Sequence, residues 1–242
     1  MYRLLNKIEN LLSKSLGKGY GAETVSKEVR LLKGILNQPL LALDIGGNVG
    51  EYAKHLRINF PTVEIHVFEP AKINYDKLID RFSNDKNIII NQIALSNTNG
   101  FAELFSNVPG SGLGSLTKRN LDHFNINFNL HETVKTLRFE DYWKSALHMR
   151  DIDIAKIDVE GNEYAVLEGF GNAIKKTKVI QFEFGGCNID TRTFFRDFWY
   201  FFTEHCFKIY RITPFGLEPI TKYKENHETF LTTNYLCVNE HN

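Results

Sequence analysis

The sequence predicts an α/β fold, a mostly parallel sheet with helices on both faces, and three observations lead there. Residues 40–50, LLALDIGGNVG, run four apolar residues and an aspartate into a glycine-rich turn. An apolar run of this kind suits a strand buried on both faces. From residue 40 onward, short apolar runs alternate with segments of helical period, which implies parallel pairing with right-handed crossovers. The 242 residues, 43% of them hydrophobic, suffice for one large domain with a single core.

Residues 2–16 carry Leu4, Leu5, Ile8, Leu11 and Leu12 at helical spacing, with Lys7 and Lys14 among the polar positions. A helix packed on the main domain is expected, with a membrane-surface or partner helix as the alternative. Gly17, Gly19 and Gly21 end it, and residues 26–36 form a second helix stopped before Pro39. Residues 1–38 are therefore a helical extension and 39–242 the main domain. In that domain residues 40–45, 63–69, 88–93, 152–157 and 178–184 read as strands, and 49–59, 71–82, 139–149 and 162–170 as helices. Residues 97–138 break the rhythm. Short strands at 101–105 and 134–139 flank a polar stretch rich in Gly and Asn, the pattern of a lid or binding loop. Residues 191–205 form an aromatic-rich helix, and 207–212 and 235–239 a closing strand pair. The expected sheet is seven-stranded and Rossmann-like. The aromatic residues between Phe194 and Phe202 belong by default to the core; a homodimer interface or an apolar acceptor wall is the alternative.

Composition excludes several functions. Lys plus Arg and Asp plus Glu balance at 29 each, so no global field holds nucleic acid. Cys187, Cys206 and Cys237 are odd in number and lack metal spacing, which fits reduced thiols rather than disulfides or zinc. No apolar run spans a bilayer, and no secretory leader is visible, so a cytoplasmic location is expected.

The glycine turn can be asked which cofactor it serves. A dinucleotide fingerprint places three glycines around a pyrophosphate at a helix N-terminus. Aligned on Gly46 and Gly50, this chain has Asp44 where the first glycine would be. A carboxylate there repels a pyrophosphate and suits a cationic, phosphate-free cofactor. S-adenosyl-L-methionine, with its ammonium, sulfonium and ribose, meets that description. Gly46, Gly47, Asn48 and Gly50 would form its turn. Glu69, 25 residues after Asp44 and followed by Pro70, would accept the ribose hydroxyls or cap the following helix. Ala94 and Leu95 would face the adenine.

The strand at 152–157 should lie beside the first at the topological switch point, so Asp158 should end near Asp44, with Glu160 close behind. Glu163 reads as a helix-dipole partner, with Asn162 as N-cap. Methyl transfer to a hydroxyl needs alignment, water exclusion and a base. The base candidates are Asp158, Glu160, Glu183, His123 and His131. No metal is assigned, although Asp158, Glu183 and Asn188 offer hard oxygen ligands for Mg²⁺ as an alternative. Lys118, Arg119 and His123 would meet an anionic acceptor or remain a solvated loop.

The segments LDIGGNVGEYA, VFEP, IALSNTNG, IDIAKIDVEGNEYAVLEGF and VIQFEF together resemble the FkbM-type class I methyltransferases across residues 40–184. The resemblance implies S-adenosylmethionine as donor, and a hydroxyl of a saccharide, glycoconjugate or secondary metabolite as acceptor. It implies cofactor roles for Asp44, Gly46, Asn48, Gly50 and Glu69, and a place near the reacting centre for Asp158 and Glu160. The GSGLGSL loop at 110–116 matches a Ser-Leu element of the family loosely. A nucleotide-sugar or NAD-dependent oxidoreductase, and a non-catalytic cofactor-binding partner, are the alternative readings.

Overall fold

The first strand of the domain, β1 (Leu41–Ile45), is buried along its whole length because both faces of the sheet are covered. Leu41, Leu43 and Ile45 pack into one apolar cluster, and Ala42 packs into the other. The computed structural model describes residues 1–20 and 25–241. The helices are α1 (Tyr2–Ser15), α2 (Val25–Leu32), α3 (Glu51–Asn59), α4 (Lys72–Arg81), α5 (Phe139–Ser145), α6 (Glu163–Phe170), α7 (Cys187–Thr191) and α8 (Phe195–Glu204). The further strands are β2 (Glu64–Phe68), β3 (Ile88–Asn91), β4 (Ala94–Ser96), β5 (Gly100–Ser106), β6 (Leu130–Arg138), β7 (Ile152–Ile157), β8 (Thr177–Phe184), β9 (Phe207–Thr213), β10 (Gly216–Ile220) and β11 (Thr233–Asn239).

The main sheet runs β10-β9-β11-β8-β7-β1-β2-β3. Strands β3, β2, β1, β7 and β8 pair in parallel, and β11, β9 and β10 complete the sheet antiparallel. The α/β class and mostly parallel sheet are as expected. The strand number is eight rather than seven because β10 folds back on β9 within the long connection to β11. β7 lies directly beside β1, so both strand ends open at the switch point.

Residues 88–93 do not form one strand. β3 stays on β2 through Asn91, after which the chain leaves and β4 joins a second sheet of order β4-β6-β5. That small sheet is the irregular region at 97–138. β5 and β6 pair antiparallel, and the loop between them folds back through a Phe105–Ser115 bridge. The aromatic helix is also divided. Arg192 at φ 55° ends α7, and the Asp197 carboxylate accepts the Phe194 N–H at 2.8 Å to start α8. Phe195, Phe198 and Phe202 enter the core, leaving Phe194 and Tyr200 exposed. The left-handed residues His148 and Met149 end the α5 region short of the expected 149.

The extension also divides. α2 packs Val29 and Leu32 into the core, whereas α1 buries none of its residues within the described chain. The expected packing of the first helix is therefore corrected, since nothing described covers its apolar side. Gly17 and Gly19 follow it with positive φ; Gly21 lies outside the described residues.

Candidate active site

The glycine turn is held from two sides. Gly46 N–H and Gly47 N–H both donate to the Phe68 carbonyl, at 2.9 and 3.0 Å, and Asp158 N–H donates to the Ile45 carbonyl at 3.0 Å. The turn is thereby bonded to the ends of β2 and β7. A Cβ on Gly46, whose φ is 81°, would overlap the Asp158 carbonyl oxygen, so only glycine lets β1 and β7 end so close together.

A cleft opens at this end of the sheet. Of the residues expected at the cofactor, Gly46, Asn48, Glu69, Pro70, Ala94, Leu95 and Asp158 line it. Glu69 accepts the Asn48 N–H at 2.8 Å and the Ala71 N–H at 2.9 Å, so it buttresses the glycine turn and starts α4 while facing the cleft. Burial pushes its carboxyl up to about 7, against the pull of those two N–H donors. Phe68, Ile93, Ala94 and Leu95 supply an apolar wall.

Three expected cofactor residues sit elsewhere. Asp44, fully buried, occupies the α3 face of β1 by strand alternation, and its Oδ2 accepts the Ala53 N–H at 3.1 Å. Together with Gly47 it lines a neighbouring cavity that also holds Lys156, Asp158 and Glu183. Gly46, Asn48 and Asp158 border both cavities. A Cβ on Gly47 would overlap Val67, which makes this glycine a packing residue toward β2. Gly50 lines neither cavity; a Cβ there would lie 2.6 Å from Phe82 and 2.7 Å from Leu78. Its φ of 82° turns the chain into α3.

The reacting side is an acid cluster. Asp158, Glu160 and Glu183 each place a carboxylate oxygen within 4.8 Å of the others'. Burial and then the neighbouring Asp158 charge raise Glu160 to about 8; Glu183 is pushed well above the usual range for the same two reasons. Two cations offset the cluster. Lys156 Nζ lies 2.8 Å from Asp158 Oδ2, and Arg119 Nη1 lies 2.8 Å from Glu160 Oε2. Burial opposes the Lys156 ammonium, but Asp158 and Asp44 outweigh it and its pKa is raised.

Several expectations are corrected here. Arg119 does not await an anionic acceptor, because its guanidinium is bound to Glu160 and, at 3.3 Å, to Asp190. Asn188 is not part of the acid set. Its Oδ1 accepts the Gly185 N–H at 2.9 Å and its amide donates to Thr193. His123 and His131 are exposed and line neither cavity. Asn162 does not cap α6 with its side chain, which donates instead to Ser115 Oγ at 3.3 Å. Glu163 is fully buried and accepts the Val159 N–H at 2.9 Å and the Gly161 N–H at 3.0 Å, so it braces the turn that presents Glu160.

The loop of residues 110–116 does close the cleft. Gly110, Ser111, Gly112, Gly114 and Leu116 line it. Ser115, fully buried, donates to the Glu160 carbonyl at 2.8 Å and accepts the Thr117 N–H at 3.1 Å, clipping the loop to the reacting turn. Sequence reasoning missed this clip and the role of Lys156. A lone lysine inside the apolar strand IDIAKID was the available signal, since a buried ammonium needs a carboxylate partner.

The sequence profile of the Methyltransferase FkbM domain matches residues 44–224. The chain belongs to the FkbM methyltransferase family. Its methyltransferase domain makes S-adenosylmethionine the cofactor to set against the site. The curated Methyltransferase sdnD of Sordaria araneosa is 27% identical over 158 residues, 52% of this chain. The aligned part spans 59% of that relative's length. A TehB-like S-adenosylmethionine-dependent methyltransferase from Corynebacterium glutamicum is 10% identical, with 99% of this chain and 97% of that chain covered and a TM-score of 0.49. A putative methyltransferase of Streptococcus mutans in complex with SAH is 9% identical, with 90% and 98% covered and a TM-score of 0.48. The family sets aside the oxidoreductase alternative.

The donor set fits this cofactor. An apolar wall at Ala94 and Leu95 and a carboxylate at Glu69 border the cleft, and the acid cluster stands at its junction with the second cavity. Glu69 would hold the ribose, the glycine turn would pass beneath the amino-acid portion, and the acids would face the cationic end.

Proposed function

We propose that this methyltransferase acts on a hydroxyl group, carried by a saccharide, glycoconjugate or secondary-metabolite acceptor. The observation that carries this reading is the convergence of the Asp158, Glu160 and Glu183 carboxylates within 4.8 Å of one another beside the cleft. An alcohol must lose its proton as the methyl arrives, and a cluster of acids sharing fewer protons than oxygens provides the acceptor. Glu160 is the base in this reading, since it lines the cleft and its carboxyl is raised to about 8, near the working pH. Bound S-adenosylmethionine would supply an electrophilic methyl, its S–CH3 bond breaking to leave the neutral thioether. Glu160 takes the hydroxyl proton at a carboxylate oxygen. Asp158 and Lys156 hold the neighbouring charge balanced, and the 110–116 loop excludes water.

The small polar rim at Ser106, Ser111, Asn162 and Glu132 favours a hydroxyl-rich acceptor, because these side chains pair readily with alcohols. A radiolabelled donor, incubated with a panel of sugars, nucleotide sugars and polyketide alcohols, tests the proposal. Label should appear as an O-methyl group, located by NMR, and Glu160→Gln should lower the rate roughly 10²–10⁴-fold. Methyl found on nitrogen, sulfur or carbon overturns it.

A further inference from the structure

α1 carries a row of exposed apolar side chains, and none of its residues is buried within the described chain. Leu4 is 63% exposed, Leu11 66% and Leu12 58%, and Leu5 and Ile8 are about half exposed at 51% and 46%. At about 100° per residue, these five side chains fall within an arc of about 120° along one side of the helix. Arg3, Lys7 and Lys14 lie together on one flank of that arc, with Glu9 alone on the other. The whole chain carries no net charge, so this local excess of cations is a property of the helix.

We propose that α1 lies in the interface of an anionic lipid bilayer, with its leucines in the acyl boundary and Arg3, Lys7 and Lys14 on the headgroups. The pattern matches what such a surface demands: a narrow apolar face, cations beside it and long stems that reach outward. A second copy is the poorer occupant: packed antiparallel it would bring its own Arg3, Lys7 and Lys14 against the same flank, and packed parallel it would offer the three cations only a single Glu9.

The attachment of α1 gives the proposal a functional direction. Arg211 Nη1 donates to the Leu16 carbonyl at 3.3 Å, and Lys18 Nζ donates to the Asn226 carbonyl at 3.2 Å. In the sheet, Arg211 lies level with Tyr235, and Tyr235 level with Phe182. The helix is thus anchored at the end of the sheet where β8 presents Glu183. A chain held to lipid by α1 is then tethered through the segment next to the cleft end of its sheet; that this serves an acceptor on a lipid carrier rests on the hydroxyl-acceptor reading above.

Co-sedimentation of the full chain with vesicles tests this. One set is phosphatidylcholine alone, and the other contains about one-third phosphatidylglycerol, an anionic surface of the kind that attracts basic segments. Binding to the anionic set only, lost in high salt, is the expected result. Leu5→Glu/Leu12→Glu should abolish it. Lys7→Gln/Lys14→Gln should weaken it about 25-fold, roughly fivefold for each cation removed. All four positions are exposed, so both variants should melt with the native chain and bind the cofactor as it does. Equal binding to both vesicle sets, or none to either, overturns the proposal. So does a dimer in sedimentation velocity that Leu5→Glu/Leu12→Glu converts to monomer without any vesicle binding.

Discussion

Arg119→Met is the perturbation that reaches furthest into the reacting side. In the native chain Glu160 titrates at about 8, raised by burial and Asp158 but restrained by the guanidinium 2.8 Å away. An opposite charge that close holds a carboxyl down by roughly 1–3 pH units. With Arg119 gone, the Glu160 midpoint should rise to roughly 9 or higher. Each unit removes about ninety per cent of the ionised base at neutral pH, so methyl transfer at pH 7 should fall ten- to a thousandfold and recover as pH rises. The substitution also leaves Asp190 without its ion-pair partner, and breaking such a pair costs on the order of 3 kcal/mol, which urea unfolding would register. The titration itself is read by carbon-detected NMR of protein labelled at the glutamate carboxyls, with Glu160→Gln identifying the resonance. A native midpoint near the ordinary 4.5, or one unmoved in a folded Arg119→Met chain, would refute the reasoning.

Other outcomes follow from the same geometry. Gly46→Ala should unfold the chain or cost more than about 4 kcal/mol in urea titrations, because strain at positive φ adds to an overlap with backbone. Gly112→Ala, whose Cβ would lie 3.2 Å from the Asn48 amide at the end of a side chain, should fold normally and be felt only at the cleft. Stability should fall as pH rises from about 4.5 to about 7, since Glu69 and Glu163 both titrate at about 7 when folded and so stay protonated where the unfolded chain has released those protons. Each contributes roughly 3 kcal/mol to that fall, and Glu163→Gln should flatten the thermal-melting profile across the window. Turnover should survive EDTA, because Lys156 and Arg119 already supply the cations that offset the acid cluster; loss of activity restored by Mg²⁺ would assign that role to a metal.

Local pattern carried the fold a long way. Both faces of β1 are apolar because both are covered, and that can be read from LLAL alone. The end of the apparent strand at 88–93 was not legible, since apolar residues resume at Ile93, Ala94 and Leu95 after only Asn91 and Gln92, while the pairing partner changes from β2 to β6. α1 shows the same limit: its period was visible, but whether anything covers it depends on the rest of the chain. In the site, Glu69 and Asp158 were identifiable because they end strands next to a glycine turn. The direction of Asp44 was available from strand alternation, which puts it with Ala42 on the α3 face. The Arg119–Glu160 pair was not visible, because the partners lie 41 residues apart on a loop and a turn of irregular backbone. Nothing in the spacing of either residue marks the other.

Calorimetric titration with S-adenosylhomocysteine tests the central placement, a cofactor seated between Glu69 and the Ala94–Leu95 wall. The native chain should bind in a single site. Glu69→Ala should lose roughly 10–150-fold, as expected when a charged hydrogen-bond partner is removed. Ala94→Trp, which fills the wall from a different strand, should abolish binding in a chain that still melts cooperatively. Undiminished affinity in both folded variants would contradict the account and move the cofactor to the second cavity, beside Asp44.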